Sequence, residues 1–209
     1  MLELRDVTIR LGGRRLIGPL SLAVPPGVVA TVMGPSGAGK STLLAFIGGF
    51  LDPAFAAEGR VLIGGQDVTC LPPERRRAGI LFQDDLLFPH LTVAGNLLFA
   101  LPPGRRSARR AAAEAALAEA GLAGFGPRDP ATLSGGQRAR VALLRTLLAA
   151  PRALLLDEPF ARLDQALKAD IRRFVFDHVR ARSLPALLVT HDPADAEAAG
   201  GPVLGLEAA

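Results

Sequence analysis

Apolar and polar residues alternate along "LELRDVTI" (2–9) and again along "RLIGPLSLAV" (15–24). This period of two predicts half-buried strands. The turns between and after them are "GGRR" (12–15) and "PPG" (25–27). "VVATVM" (28–33) is instead a continuous apolar run, the pattern of a strand buried on both faces. A glycine-rich loop over 34–39 follows, then a helix from about Lys40 to Gly48. "GRVLIGGQDV" (59–68) and "AGILFQ" (78–83) predict two more strands. From 84 to 150 the pattern turns helical. "SARRAAAEAALAEAG" (107–121) runs from a candidate N-cap at Ser107 to a stop at Gly121, and another helix opens at Ser134. Strands return at "ALLLDE" (153–158) and "ALLVTH" (186–191), with a helix around 165–182 between them and a last short strand in "PVLGL". There is no internal repeat. Strands alternating with helices predict an α/β fold around a mainly parallel sheet, with an N-terminal antiparallel β subdomain and an inserted helical subdomain. The expected organisation is one domain over 1–209, its core formed by 1–83 and 151–209 and its helical part by 84–150. Ligands of such sheets bind outside the carboxyl ends of the strands, so the loops after strands are where chemistry is expected.

Composition narrows this reading only in places. The 209 residues are 49% hydrophobic and 21% charged, a globular balance. Mean hydropathy is +0.30, high enough to ask about membrane spans. The longest charge-free stretches, 16–39 and 86–104, are broken by prolines and glycines, so neither offers the roughly 20 apolar residues a bilayer needs. The first ten residues lack the basic-then-apolar pattern of a secretion signal, which predicts a cytoplasmic chain. One cysteine, Cys70, excludes an internal disulfide. The chain is basic, but its arginines are scattered apart from clusters at 74–77 and 104–110, and no aromatic residues are interleaved for base stacking. A solvated face is the first reading of those clusters, an anionic lipid surface or acidic partner the second, and nucleic acid the last. Lysine occurs only at positions 40 and 168. At position 40 a compact ammonium suits the space between phosphates better than a planar guanidinium.

Gly34-x-x-x-x-Gly39-Lys40-Ser41 has P-loop spacing, with a buried-type strand before it and a helix after it. Residues Gly34, Pro35, Ser36, Gly37, Ala38, Gly39, Lys40, Ser41 and Thr42 are the candidate phosphate cradle. Backbone N–H groups and the helix start favour the anion. Lys40 would reach the β- and γ-phosphates and Ser41 would ligate Mg²⁺. Asp157 ends the "ALLLDE" strand where a carboxylate can hold Mg²⁺ through water, and Glu158 can orient or deprotonate the attacking water. Gln83 and His191 each sit just past an apolar strand. Gln83 could touch the metal or the water, and His191 could donate to the transferred phosphoryl group. "LSGGQ" (133–137) fits a capping box between Ser134 and Gln137, opening a helix with Val141, Leu144, Leu147 and Leu148 on its buried face. A cap does not require Gly135 and Gly136. Two adjacent glycines cost stability unless something approaches the backbone closely.

In order, these five motifs resemble those of the ATP-binding cassette ATPases over nearly the whole chain: Walker A (34–42), the Q-loop (Gln83), the signature motif (133–137), Walker B (153–158) and the switch histidine (His191). The resemblance implies ATP and Mg²⁺ as ligands and a homodimer packed head to tail. Ser134, Gly135, Gly136 and Gln137 of one copy would then close over the γ-phosphate held by Lys40 of the other. Residues 71–97 are similar to the corresponding stretch of short bacterial importer ATPases, thiamine-type and related, that serve a membrane permease and a solute-binding protein. That implies a peripheral place on the cytoplasmic side of the inner membrane and no nucleic-acid partner. It also implies a groove near Asp84, Leu86, Phe88 and Pro89 for a helix of the permease, and no C-terminal regulatory domain. Three positions depart from the pattern. Leu11 stands where an aromatic residue usually stacks on adenine, Ala161 stands where serine is frequent, and no basic residue precedes the last strand. A soluble cassette ATPase of DNA repair or translation is the alternative expectation, and a P-loop small-molecule kinase comes after it.

Overall fold

The computed structural model describes residues 1–206, with Ala166 described in its backbone only. The chain divides into two compact units. The first comprises Met1–Ile80, Arg152–Glu158 and Val175–Ala209, and the second Leu81–Pro151 and Pro159–Phe174. The second unit takes in the segment after Glu158, which the sequence boundaries of 84–150 leave out.

In the first unit β1 (Leu2–Leu11) and β2 (Arg14–Val24) form a hairpin, and β3 (Val29–Met33) leads into α1 (Lys40–Gly48). β4 (Phe55–Ile63), β5 (Gln66–Asp67) and the short α2 (Pro73–Arg76) precede β6 (Ala78–Leu81). The antiparallel sheet runs β2-β1-β4-β5. Its alternating residues Leu2, Leu4, Ile9, Val61 and Ile63 are buried in one cluster with Leu43, Leu44 and Ile47 of α1. That is the outcome a period-two pattern dictates.

In the second unit α3 (Val93–Ala100), α4 (Arg106–Glu119) and α5 (Gly135–Leu148) share a core of Val93, Leu97, Ala113, Leu117, Val141 and Leu144. Leu147 is buried as its spacing predicts, whereas Leu148 is only partly buried. Returning to the first unit, β7 (Ala153–Asp157) is followed by α6 (Gln165–Ala181), of which 165–174 belong to the second unit. β8 (Ala186–Thr190), α7 (Pro193–Ala199) and β9 (Val203–Gly205) complete a five-stranded sheet ordered β6-β7-β8-β3-β9. The pairings β7–β8, β8–β3 and β3–β9 are parallel. Both β3 and β7 are buried over their first four residues, and their carboxyl ends emerge at the same edge of the sheet on either side of β8. No helix among the described residues is long and apolar enough to cross a membrane.

Two expectations change. Ser107 is not the N-cap of α4. Arg105 holds that place, and its carbonyl accepts from Arg109 N–H at 3.0 Å. Helical geometry begins as soon as Pro102, Pro103 and Gly104 are passed, which leaves Ser107 inside the first turn. The arginine clusters are not simply solvated either. Arg76, 6% exposed, donates from Nη1 to the Phe46 and Ile47 carbonyls at 2.7 and 3.0 Å, and from Nε to Leu71 at 2.7 Å. Its Nη2 donates to the Thr69 carbonyl. Arg109 donates to the carbonyls of Leu98 and Leu101 at the end of α3, and Arg140 to that of Ala120 at the end of α4. The last carbonyls of a helix have no partner within it. A forked guanidinium with five N–H donors serves several of them at once. Arg75 and Arg106 do remain on the surface.

Candidate nucleotide site

In the first unit the loop after β3 is shaped by glycine. Gly37 and Gly39 both have φ 84°, a conformation side chains resist, and Gly39 is the N-cap of α1. Gly34 lies so close to the end of the chain's last strand that a methyl group there would meet the Leu206 carbonyl oxygen at 2.6 Å. Pro35, Ser36 and Gly37 are exposed, while Ala38, Gly39 and Lys40 are buried. The loop therefore presents its tip and keeps its stem packed. The Lys40 Nζ donates to the carbonyls of Gly34 and Pro35 at 2.8 and 3.0 Å, folding the ammonium back over the loop.

Two strand ends bring the acidic and imidazole groups to it. Ser41 Oγ donates to Asp157 Oδ1 at 3.0 Å, joining the first turn of α1 to the end of β7. Burial pushes the Asp157 carboxyl above its ordinary value, opposed by the Ser41 hydrogen bond; neighbouring Glu158 adds to the rise and Lys40 resists it. Glu158 lies just beyond the strand. Its φ is 44°, and its N–H donates to the Val189 carbonyl at 2.9 Å. A left-handed glutamate is a costly conformation that persists only where its surroundings fix it. Here Glu158 Oε1 is 3.9 Å from Lys40 Nζ and Oε2 is 3.1 Å from His191 Nδ1. His191 follows β8 and is 58% exposed. The first unit thus gathers the loop, Lys40, Ser41, Asp157, Glu158 and His191 into one constellation.

Gln83 and residues Ser134–Gln137 belong to the second unit. There the capping box is complete: Gln137 Oε1 accepts from Ser134 N–H at 3.0 Å, and Ser134 Oγ accepts from Gln137 N–H at 3.4 Å. The two glycines separate in character. A methyl group on Gly136 would meet the Leu167 side chain of α6 at 2.5 Å, so that glycine is required by packing inside the chain. One on Gly135 would meet nothing closer than 3.8 Å. Gln83, Asp84, Leu86, Pro89 and Gly135 line a cavity of about 450 Å³ together with Arg138 and Arg162. Phe88 does not line it. The Phe88 backbone is held by the buried Asn96 side chain at 2.8 and 3.1 Å, and its ring packs edge-on to Phe99.

Several residues around this cavity escape the sequence reading. Arg162 pairs with Asp84, and Arg138 Nε lies 3.4 Å from Asp85. Arg145 donates to the backbone carbonyls of Asp85 and Leu86 at 3.2 and 2.7 Å. A lone charge on a helix, as at Arg138 and Arg145, or in a turn, as at Arg162, gives no sign of such a partner. Asn96, in the middle of an apolar helical run, is the one detectable signal, since a buried amide requires partners.

The sequence profile of the family described as ABC transporter matches residues 17–161. The chain belongs to the ABC transporter family. It is 50% identical to the uncharacterized ABC transporter ATP-binding protein YnjD of Escherichia coli strain K12, over 95% of this chain and 92% of that protein. It is 47% identical to the thiamine import ATP-binding protein ThiQ of Cereibacter sphaeroides, over 94% and 84%. Among solved structures, the dimeric bacterial ABC transporter cassette MJ0796 aligns with TM-score 0.80 at 30% identity, covering 99% of this chain and 94% of that one. A post-hydrolysis MJ0796 dimer bound to ADP and Pi aligns with TM-score 0.81 at 30% identity, covering 100% and 96%. The cassette therefore has the P-loop NTPase fold and is an ATP-binding, ATP-hydrolysing subunit of an ABC transporter. The DNA-repair alternative gains no support from these relatives.

Proposed function

We propose that this cassette powers solute import, working as an ATP-driven homodimer beneath a membrane permease on the cytoplasmic side of the bacterial inner membrane. The observation that carries the chemistry is the chain of contacts from Lys40 through Glu158 to His191, beside a glycine-shaped phosphate loop. The import relatives, which act on thiamine and on Fe³⁺, support the direction of transport. A solute-binding protein outside the membrane would choose the cargo.

In this reading the N–H groups of Gly37 to Lys40 and the Lys40 ammonium hold the β- and γ-phosphates. Glu158, its Oε1 3.9 Å from Lys40 Nζ, takes a proton from the attacking water. His191 steadies Glu158 and donates to the phosphoryl oxygens as charge develops there. Ser41 Oγ and the Asp157 carboxylate, 3.0 Å apart, are hard oxygen donors suited to Mg²⁺, with Gln83 as a further ligand. The metal would neutralise phosphate charge when bound. Gly135, the glycine that internal packing does not need, lets the start of α5 approach the γ-phosphate held by a second copy.

Glu158→Gln should keep ATP binding, lose hydrolysis and accumulate as an ATP-bound dimer. Light scattering with and without ATP measures this, and a monomer under both conditions refutes the dimer mechanism. Purifying that variant from its own membranes with ATP present should recover a polytopic permease subunit. Recovery with ribosomes or DNA instead would overturn the transport reading.

A further inference from the structure

Of the arginines in the first turns of α4, Arg109 is committed to the carbonyls of Leu98 and Leu101, but Arg110 is not. Among the described residues the Arg110 guanidinium has no hydrogen-bond or ion-pair partner. Nor has the carboxylate of Glu114, one turn further on. Arginine followed by glutamate four residues later is the weaker order for a helix pair, because each charge then faces the unfavourable end of the helix dipole. Both charges stand at a cleft of about 570 Å³ in the second unit, formed by α3, α4 and the turn over 123–127.

Apart from those two charges the cleft is largely apolar. Ala94 and Leu98 of α3 line it with Ala113 and Leu117 of α4 and with Pro127. Its walls are also fixed. The Val93 and Ala94 N–H groups donate to the Arg128 and Gly126 carbonyls at 2.9 Å each, which ties the turn to the start of α3. Thr92 Oγ1 accepts from Gly95 N–H at 3.1 Å, and Arg109 joins α4 to the end of α3. Small-molecule sites are preformed clefts of about 300–1,000 Å³, mostly apolar, with a few polar groups that orient the ligand. Among the described residues none that lines this cleft also lines the cavity at Gln83 and Gly135. The nucleotide chemistry therefore leaves it unused.

We propose that this cleft binds a free amphiphilic anion, an aliphatic chain of medium length that ends in a carboxylate. The chain lies against Leu98, Ala113 and Leu117, and Arg110 takes the carboxylate through two parallel N–H donors. Arg106 lines an adjoining opening with Arg110 and Glu114, so two arginines stand there against one glutamate. Glu114 opposes the anion and restrains its affinity. An uncharged chain would leave Arg110 unpaired, and a cation would meet two like charges. The site shares no residue with the phosphate loop, which belongs to the other unit, and stands or falls apart from it.

The test is calorimetric titration of the full chain with decanoate, beside decanol and decyltrimethylammonium. Decanoate should saturate a single site and bind about tenfold more tightly than either of the others, on the order of one charge-assisted hydrogen bond. Arg110→Gln should remove that tenfold advantage, and Glu114→Gln should strengthen decanoate binding about twofold by lifting a screened repulsion. Ala123→Phe fills the cleft from an exposed position, where folding is not at stake, and should also weaken decanoate. Equal binding of the three probes, or a decanoate affinity that ignores Arg110→Gln, overturns the proposal and leaves only an indifferent apolar surface. So does binding to phosphatidylglycerol vesicles by a chain that does not bind free decanoate, which would make the arginines a contact for lipid headgroups.

Discussion

Gly135 and Gly136 are adjacent in sequence and alike in composition, yet their surroundings assign them different work. Gly136 faces Leu167 with no room for a methyl group, whereas one on Gly135 would make only ordinary contacts, at 3.8 Å from Leu163 and 3.9 Å from Arg138. Gly136→Ala should therefore lower the unfolding midpoint, as overpacking costs about 1–3 kcal/mol. Gly135→Ala should leave that midpoint unchanged or slightly raised, because alanine favours the helix. If Gly135 meets the second copy's nucleotide, the same change should slow ATP hydrolysis and hinder the ATP-dependent dimer. Thermal melts read beside turnover separate the two effects; equal melting losses in both variants would refute the distinction. From the sequence the pair is a single anomaly, two glycines where one cap needs none. Only the position of Leu167, about thirty residues downstream, splits it. The same limit applies to Glu158. The Asp-Glu pair marks a carboxylate near phosphate, but not that its backbone turns left-handed or that His191 lies 3.1 Å away.

Among the elements, helix ends show what the arginine-rich composition accomplishes. α1 ends on Gly49, φ 85°, against the Arg76 guanidinium, which holds the Phe46 and Ile47 carbonyls. Arg76→Ala should cost about 3 kcal/mol, since it leaves buried carbonyls without a donor. Arg76→Lys should recover little of this, because one ammonium cannot reach all four carbonyls, two at the end of α1 and two in the turn over 69–71, at once. Denaturant titration measures both, and full recovery by lysine would show that charge alone suffices. Strands and helices with a clear period were legible before the fold was known, including β3, α1, α5 and β8 within a residue or so. α7 was missed because seven residues are too few to establish a period, although Asp192 caps it and Pro193 opens it as short helices often begin. The capping role of Arg76 and Arg109 was illegible for a different reason. A solvated arginine and a capping arginine have the same local sequence, and only the packing of distant carbonyls distinguishes them.

For the molecule as a whole, acidity should act partly through Asp85. Its burial raises the carboxyl above 3.8, while the Arg138 charge and hydrogen bond pull the other way. The folded chain then holds this proton more tightly than the unfolded chain. The stability Asp85 contributes is full below pH 3.8 and is lost as pH rises through its elevated folded value. Asp85→Asn should flatten the stability profile in that window, measured by denaturant titration at successive pH values; an unchanged slope would place the proton elsewhere. The order of the parallel sheet has a consequence of another kind. β3 pairs with β8 and β9, and Gly34 rests against the carbonyl of Leu206. The phosphate loop is made well before β8 and β9, the strands that brace it. A half-finished chain carries every residue of that loop and still lacks the walls that shape it. A nascent chain that stops short of β8 should therefore hold nucleotide poorly, however complete its loop.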